Sequence, residues 1–218
     1  MTNGNETLRR IGELGVVLVV RAETEADAIA GIRAVVAGGI RAVEVTFTVP
    51  GAPSVIRAVG RELGRDVLLG AGTVLHPEDA EDAVDAGARF LVAPNTDERV
   101  IGAAKRLGVP ILPGAFTPTE VVRAWDLGAD AVKIFPASLG GAAYIKALLG
   151  PLPNIPLVPT GGVDERTVAD FFRAGAFAVG AGGALFDAAS LKARAYDQMT
   201  ETARQFMTAL NAARSTQK

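Results

Sequence analysis

The sequence predicts an α/β fold, a (β/α)8 barrel entered through a short N-terminal helix. Three observations carry this: eight short β-branched runs, amphipathic stretches of helical length between them, and a recurring junction where a glycine leads into the next strand. AGGIRAVEV, AGARFLVA, LGVPILPG, LGADAVKI and AGAFAVGA all show that junction, about 20 residues apart in mid-chain, the length of one βα unit. Helices that alternate with strands must cross over a parallel sheet and cover it. Eight such units close into a TIM barrel, and 218 residues suffices for the compact form of that fold as one domain over residues 1–218. An open doubly wound sheet competes, but no GxGxxG follows the first strand.

The elements follow in order. A short helix ahead of Val16 should cap the barrel floor. The strands are then VVLVV (16–20), RAVEVTF (41–47), VLLGAG (67–72), RFLVAP (89–94), PILPGA (110–115), AVKIFP (131–136), PLVPTG (156–161) and FAVGAG (177–182). Intervening stretches such as TEADAIAGIRAVVAGG and TPTEVVRAWDLG open on Thr or Asp caps and close on Gly. Beyond Asp187, the apolar set Tyr196, Met199, Ala203, Phe206 and Leu210 has helical spacing and should pack on the barrel exterior.

Composition narrows the function. Close to half of the residues are apolar and the net charge is -2, so the chain reads as an ordinary globular protein. No basic block or aromatic-interleaved basic stripe supports nucleic-acid binding. The absence of cysteine excludes disulfides, thiol catalysis and thiolate metal sites, and fits a reducing cytoplasm. MTNGNETLRRIGEL lacks a signal-peptide layout, and Val16 to Val20 is too short to span a bilayer. Neither a membrane nor a nucleic acid is expected as a partner; small molecules are.

Catalytic groups of such a barrel come from the C-terminal ends of its strands. Of the lysines, Lys105, Lys146, Lys192 and Lys218 lie in helical or tail contexts, and only Lys133 interrupts an apolar strand. Period-2 alternation puts Lys133 and Phe135 on one face and Val132 and Ile134 on the other. If the branched pair meets the helices, Lys133 enters the barrel, where desolvation favours the free amine a Schiff-base nucleophile needs. Glu44 in AVEVTF is the matching interruption on the second strand, suited to shuttling protons beside that amine. A purely structural ion pair is the alternative, though burying both charges for stability alone gains little over an apolar pair.

The glycine pairs in PTGGV (159–163) and GAGGALFD (180–187) end the seventh and eighth strands, where this fold often cradles phosphate on backbone N–H groups. Tight βα turns would also use glycine there. GAGT (70–73) offers a further backbone nest for a carboxylate.

Together, AGGIRAVEVTFTVP, GAGTVLHPE, the Pro94 strand end, LPGAFTPTE, VKIFPAS, VPTGGV and VGAGGALF resemble the 2-dehydro-3-deoxy-phosphogluconate (KDPG) aldolase and 4-hydroxy-2-oxoglutarate (KHG) aldolase family, in order and spacing. The resemblance implies a class I, pyruvate-dependent aldolase that is a homotrimer and uses no metal or other cofactor. It implies Lys133 as the Schiff-base lysine and Glu44 as the proton-transfer residue. It also implies Thr73 near the pyruvyl carboxylate, Pro94 and Phe135 lining the pocket, Thr160 near the substrate hydroxyls, and Gly161, Gly162 and Gly182 at the phosphate. The expected substrate is a 2-keto acid phosphate, 2-dehydro-3-deoxy-6-phosphogluconate; KHG and the galactonate-derived isomer are the near alternatives.

Two positions depart from the family pattern. Thr48 stands where some members carry a carboxylate-binding arginine, and Arg21 is either its substitute or a rim salt-bridge partner. Gly183 stands where some carry a phosphate-binding serine, leaving only a backbone donor. Rival readings are a metal-dependent pyruvate aldolase, for which His76 is the only histidine and better suited to capping, a phosphosugar isomerase or epimerase, and a catalytically lapsed phosphate-binding or assembly barrel.

Overall fold

A computed structural model describes residues 3–215, which leaves Lys218 outside the described residues. The chain opens with α1 (Asn3–Leu14) and β1 (Val16–Val20), followed by α2 (Glu25–Ala37), β2 (Ala42–Thr46), α3 (Ala52–Leu63) and β3 (Leu68–Gly72). Next come α4 (Pro77–Asp85), β4 (Leu91–Val92), α5 (Glu98–Leu107), β5 (Ile111–Leu112), β6 (Gly114–Ala115) and α6 (Pro118–Asp126). The last third holds β7 (Val132–Ile134), α7 (Gly141–Leu149), β8 (Leu157–Pro159), α8 (Val168–Arg173), β9 (Val179–Ala181), α9 (Ala188–Lys192) and α10 (Tyr196–Ser215).

All strand pairings are parallel. Six strands form a half-barrel in the order β5-β4-β3-β2-β1-β9, and β6-β7-β8 form a second sheet. The expected ring of eight strands is therefore recorded as nine segments in two sheets. Pro113 causes one break: it has no N–H to extend the ladder, so 110–115 divides into β5 and β6. The other seam is narrow, since Thr160 and Gly180 form a parallel bridge between the end of β8 and β9.

The alternation of side chains sorts the core into two layers. Val132 and Ile134 face outward into the helix-covered layer with Val43, Val45 and Leu91. Val17, Ala42, Leu68, Leu112 and Val158 fill the interior with Phe90, and Ile11 of α1 joins them from below while Leu8 and Leu14 pack alongside. The first helix is thus a floor plug, as its position ahead of Val16 predicts. Truncating the fully buried Ile11 to Ala would cost about 2–5 kcal/mol.

Helix ends follow their sequence signals. Thr24 caps α2 by accepting from the Asp27 N–H at 3.1 Å. Thr117 and Glu120 cap α6 reciprocally, with the Thr117 N–H donating to Glu120 Oε2 at 2.7 Å. Met199, Ala203, Phe206 and Leu210 form the buried stripe of α10, and Tyr196 is partly buried beside them. The separate short helix α9, capped by Asp187, was not distinguished in the sequence pattern.

Candidate active site

The interior changes character above its apolar floor. Glu44 lies two residues beyond Ala42 on β2, and Lys133 two residues beyond Ala131 at the start of β7, so both inherit the inward face. Their side chains are 3% and 4% exposed, and Lys133 Nζ stands 3.8 Å from Glu44 Oε1. That separation makes an ion pair but exceeds a hydrogen bond. Glu44 Oε1 accepts no hydrogen bond from the described residues, although it is fully buried. An acceptor left open beside an amine is poised for a group that is not part of the protein.

Burial pushes the Glu44 carboxyl above the ordinary carboxylate range, while the Lys133 ammonium and the Arg21 guanidinium pull it back down. A carboxyl raised in this way keeps a proton to give at a pH where an exposed one has lost it. The Lys133 ammonium also lies 5.2 Å from the centroid of the Phe135 ring, the next residue on its face.

Glycines shape the space around these groups. A Cβ on Gly72 would lie 2.8 Å from Glu44 Oε1, so an alanine there would collide with the carboxylate. A Cβ on Gly180 would strike Thr160 Oγ1.

A cavity of about 310 Å³ opens above Lys133. It gathers Arg21, Lys133, Phe135, Thr160, Gly161, Gly162, Gly182 and Gly183, most of the residues singled out in the sequence. Gly161 and Gly162 turn with φ of 97° and 74°, a left-handed conformation that explains the glycine pair. Arg21 is exposed at the rim and joins no ion pair among the described residues, which disfavours the salt-bridge reading.

Other expected residues lie apart. Glu44 is not in the wall of this cavity and stands 3.8 Å from Lys133, which is. Pro94 lines a neighbouring cavity of about 270 Å³ that shares only Phe135 with the first. Thr73 is half-buried outside both, with φ 54°, an unusual left-handed backbone for a β-branched residue. At the second departure, Thr46 donates to the Val20 carbonyl at 2.7 Å and lies 2.6 Å from the Thr48 hydroxyl. With its own proton committed, Thr46 must accept from Thr48. The Thr48 hydroxyl is thus engaged with Thr46 and lines neither cavity, whereas Arg21, just past β1, brings a guanidinium to the cavity rim.

Sequence reasoning missed Asp164, Val19, Val163 and Ala184 in the cavity wall. Asp164 is partly buried, which opposes its ionisation, but hydrogen bonds from Arg166 and Thr167 hold its carboxyl below the usual range. Its position just after a glycine turn was the available signal. His76 sits at the N-cap of α4, where its backbone N–H donates to Asp79 Oδ2 at 3.1 Å. Among the described residues, no three His, Asp or Glu side chains gather in a group that could hold a metal ion.

Comparison with known proteins places these observations. Residues 8–202 match the family described as KDPG and KHG aldolase. The 2-dehydro-3-deoxy-phosphogluconate aldolase of Treponema pallidum is 40% identical over 201 residues, covering 92% of this chain and 94% of that protein. The KHG/KDPG aldolase of Escherichia coli K12 is 33% identical over 201 residues, covering 92% and 93%. The crystal structure of a Legionella pneumophila KDPG aldolase, with pyruvate captured as a covalent carbinolamine, superposes with a TM-score of 0.81 at 29% identity, covering 88% of this chain and 96% of that one.

Proposed function

Since this chain belongs to the KDPG and KHG aldolase family, we propose that it is a class I aldolase, a lyase that cleaves 2-dehydro-3-deoxy-6-phosphogluconate to pyruvate and glyceraldehyde 3-phosphate. The observation that carries this reading is the buried Lys133–Glu44 pair: an amine in the cavity wall, and 3.8 Å from it a carboxylate oxygen with no hydrogen-bond partner among the described residues.

The Lys133 amine attacks the C2 ketone and forms a carbinolamine. Glu44 gives a proton to the departing hydroxyl, and water leaves to yield the protonated imine. The C4 hydroxyl then loses its proton, the C3–C4 bond breaks, and its electron pair flows into the imine to give an enamine. Glyceraldehyde 3-phosphate departs. Protonation of the enamine at C3 and hydrolysis of the imine release pyruvate and restore the amine. Splitting one high barrier into several lower ones is the gain of covalent catalysis, and a positioned carboxyl contributes to each proton transfer.

The substrate lies along the cavity. Arg21 meets the carboxylate end, Phe135 flanks the pyruvyl part with Pro94 beyond it in the adjoining cavity, Thr73 supports the strand end near the carboxylate, and Thr160 reaches the hydroxyls. Gly161, Gly162, Gly182 and Gly183 offer their backbone to the phosphate, as a glycine turn allows. A second reading, cleavage of unphosphorylated KHG, is favoured by Asp164, whose ionised carboxylate borders the anion end, and by the lack of a side-chain donor at Gly183. Cleavage of the galactonate-derived isomer uses the same groups. Comparing kcat/KM on the three substrates tests the assignment, with the phosphorylated gluconate derivative expected to lead.

The architecture we infer is one domain, a closed (β/α)8 barrel, supported by the Thr160–Gly180 bridge and by β5 and β6 continuing one another through Pro113. A homotrimer would cover exposed apolar side chains such as Val122, Trp125 and Leu139, and light scattering after gel filtration tests it. A cytoplasmic location accords with the cysteine-free composition; no helix among the described residues is long and apolar enough to cross a membrane.

A further inference from the structure

A second concave site lies at the opposite end of the strands from Lys133. It is a groove of about 720 Å³ between α1, α3 and the segments that enter β3 and β4. Five arginines line it: Arg10, Arg57, Arg61, Arg65 and Arg89. Arg57 and Arg61 share one face of α3 at i,i+4 spacing, Arg65 follows in the turn beyond that helix, and Arg89 precedes β4. Arg10 donates to the Arg65 carbonyl at 3.0 Å, which ties two arms of the groove together. Glu6 is the one carboxylate in the wall, and none of the five guanidiniums joins an ion pair among the described residues.

Converging like charges repel one another and disfavour the folded chain unless an anion offsets them. Guanidinium forks match phosphate oxygens in pairs. Val67, Leu68, Leu69 and Ala86, each 5–6% exposed, close the floor of the groove, and its volume lies in the range of small-molecule sites. We propose that this groove binds a nucleotide-sized organic polyphosphate, its phosphates on the arginines and its size set by the groove. The site is separate from the aldolase cavity, with which it shares no residue.

Isothermal titration calorimetry of the whole chain with ATP, in magnesium-free buffer at low salt, tests the assignment, with tripolyphosphate and adenosine as separate arms. ATP should bind, tripolyphosphate more weakly and adenosine more weakly still, and added salt should lower the affinity. The Arg57→Ala/Arg61→Ala variant should bind ATP at least tenfold more weakly while keeping its aldolase kcat/KM. The single variant Arg89→Gln should weaken binding in the same direction and serves if the double variant does not fold. The proposal is overturned if ATP gives no heat at millimolar concentration, if the variants bind as tightly as the parent, or if single-stranded RNA binds where ATP does not.

Discussion

Lys133 Nζ and Glu44 Oε1 stand 3.8 Å apart in the protein interior, and the carboxylate oxygen has no hydrogen-bond partner among the described residues. A stabilising ion pair would be expected to close to direct contact, because the desolvation of both groups is offset only by excellent geometry. The open distance instead leaves both groups free to act on a third.

Glu44→Gln keeps the shape of the side chain and removes its proton transfer. Turnover should fall by about 100-fold or more while the circular dichroism spectrum is retained. Near-parental turnover would reduce Glu44 to a structural partner.

The same carboxyl makes a prediction about pH. Its folded-state titration lies above that of the unfolded chain because burial outweighs the nearby cations. Between the two titrations the native state holds more protons, so this group's contribution to stability is fully present below about pH 4.3 and is lost as pH rises through the folded value. Denaturant unfolding of the parent and of Glu44→Gln should therefore show the parent losing ground to the variant as pH rises above about 4.3. A constant difference would contradict the raised carboxyl.

Gly72→Ala introduces a methyl group 2.8 Å from Glu44 Oε1. Overpacking of this kind costs about 1–3 kcal/mol. The carboxylate must move, so kcat should fall with the stability. A variant with lowered stability but parental kcat would show that the placement of Glu44 is not critical.

Arg21 lines the cavity and has no ion-pair partner among the described residues. Arg21→Ala should weaken pyruvate binding at least tenfold, in line with loss of a charge-assisted contact worth about 1.5–3 kcal/mol. Unchanged pyruvate affinity would refute the carboxylate role.

A side chain at Gly183 would meet open space, so Gly183→Ser should fold normally. Its hydroxyl adds a donor at the proposed phosphate end. The ratio of kcat/KM for phosphorylated over unphosphorylated substrate should rise severalfold; a ratio that stays level would place the phosphate elsewhere.

Much of this was legible in the sequence because each signal was local. Strand alternation set Lys133 and Glu44 on faces opposite their branched neighbours, which turns them inward once those neighbours meet the helices, and glycine pairs marked the turns at 161–162 and 182–183. What escaped was non-local. Pro113 divides an apolar run whose composition reads as one strand. Arg10, Arg57, Arg61, Arg65 and Arg89 are scattered over 80 positions and become one groove only when α1 and α3 pack beside the entries to β3 and β4. Asp164 is drawn into the cavity wall by the path of its loop, which no periodicity encodes.

The central claim is that Lys133 forms an imine with the substrate. Borohydride reduction in the presence of pyruvate, followed by intact-mass measurement, tests it directly. The parent chain should gain one reduced pyruvyl adduct per subunit and Lys133→Ala none; an unmodified parent, or an equal adduct on Lys133→Ala, would contradict it.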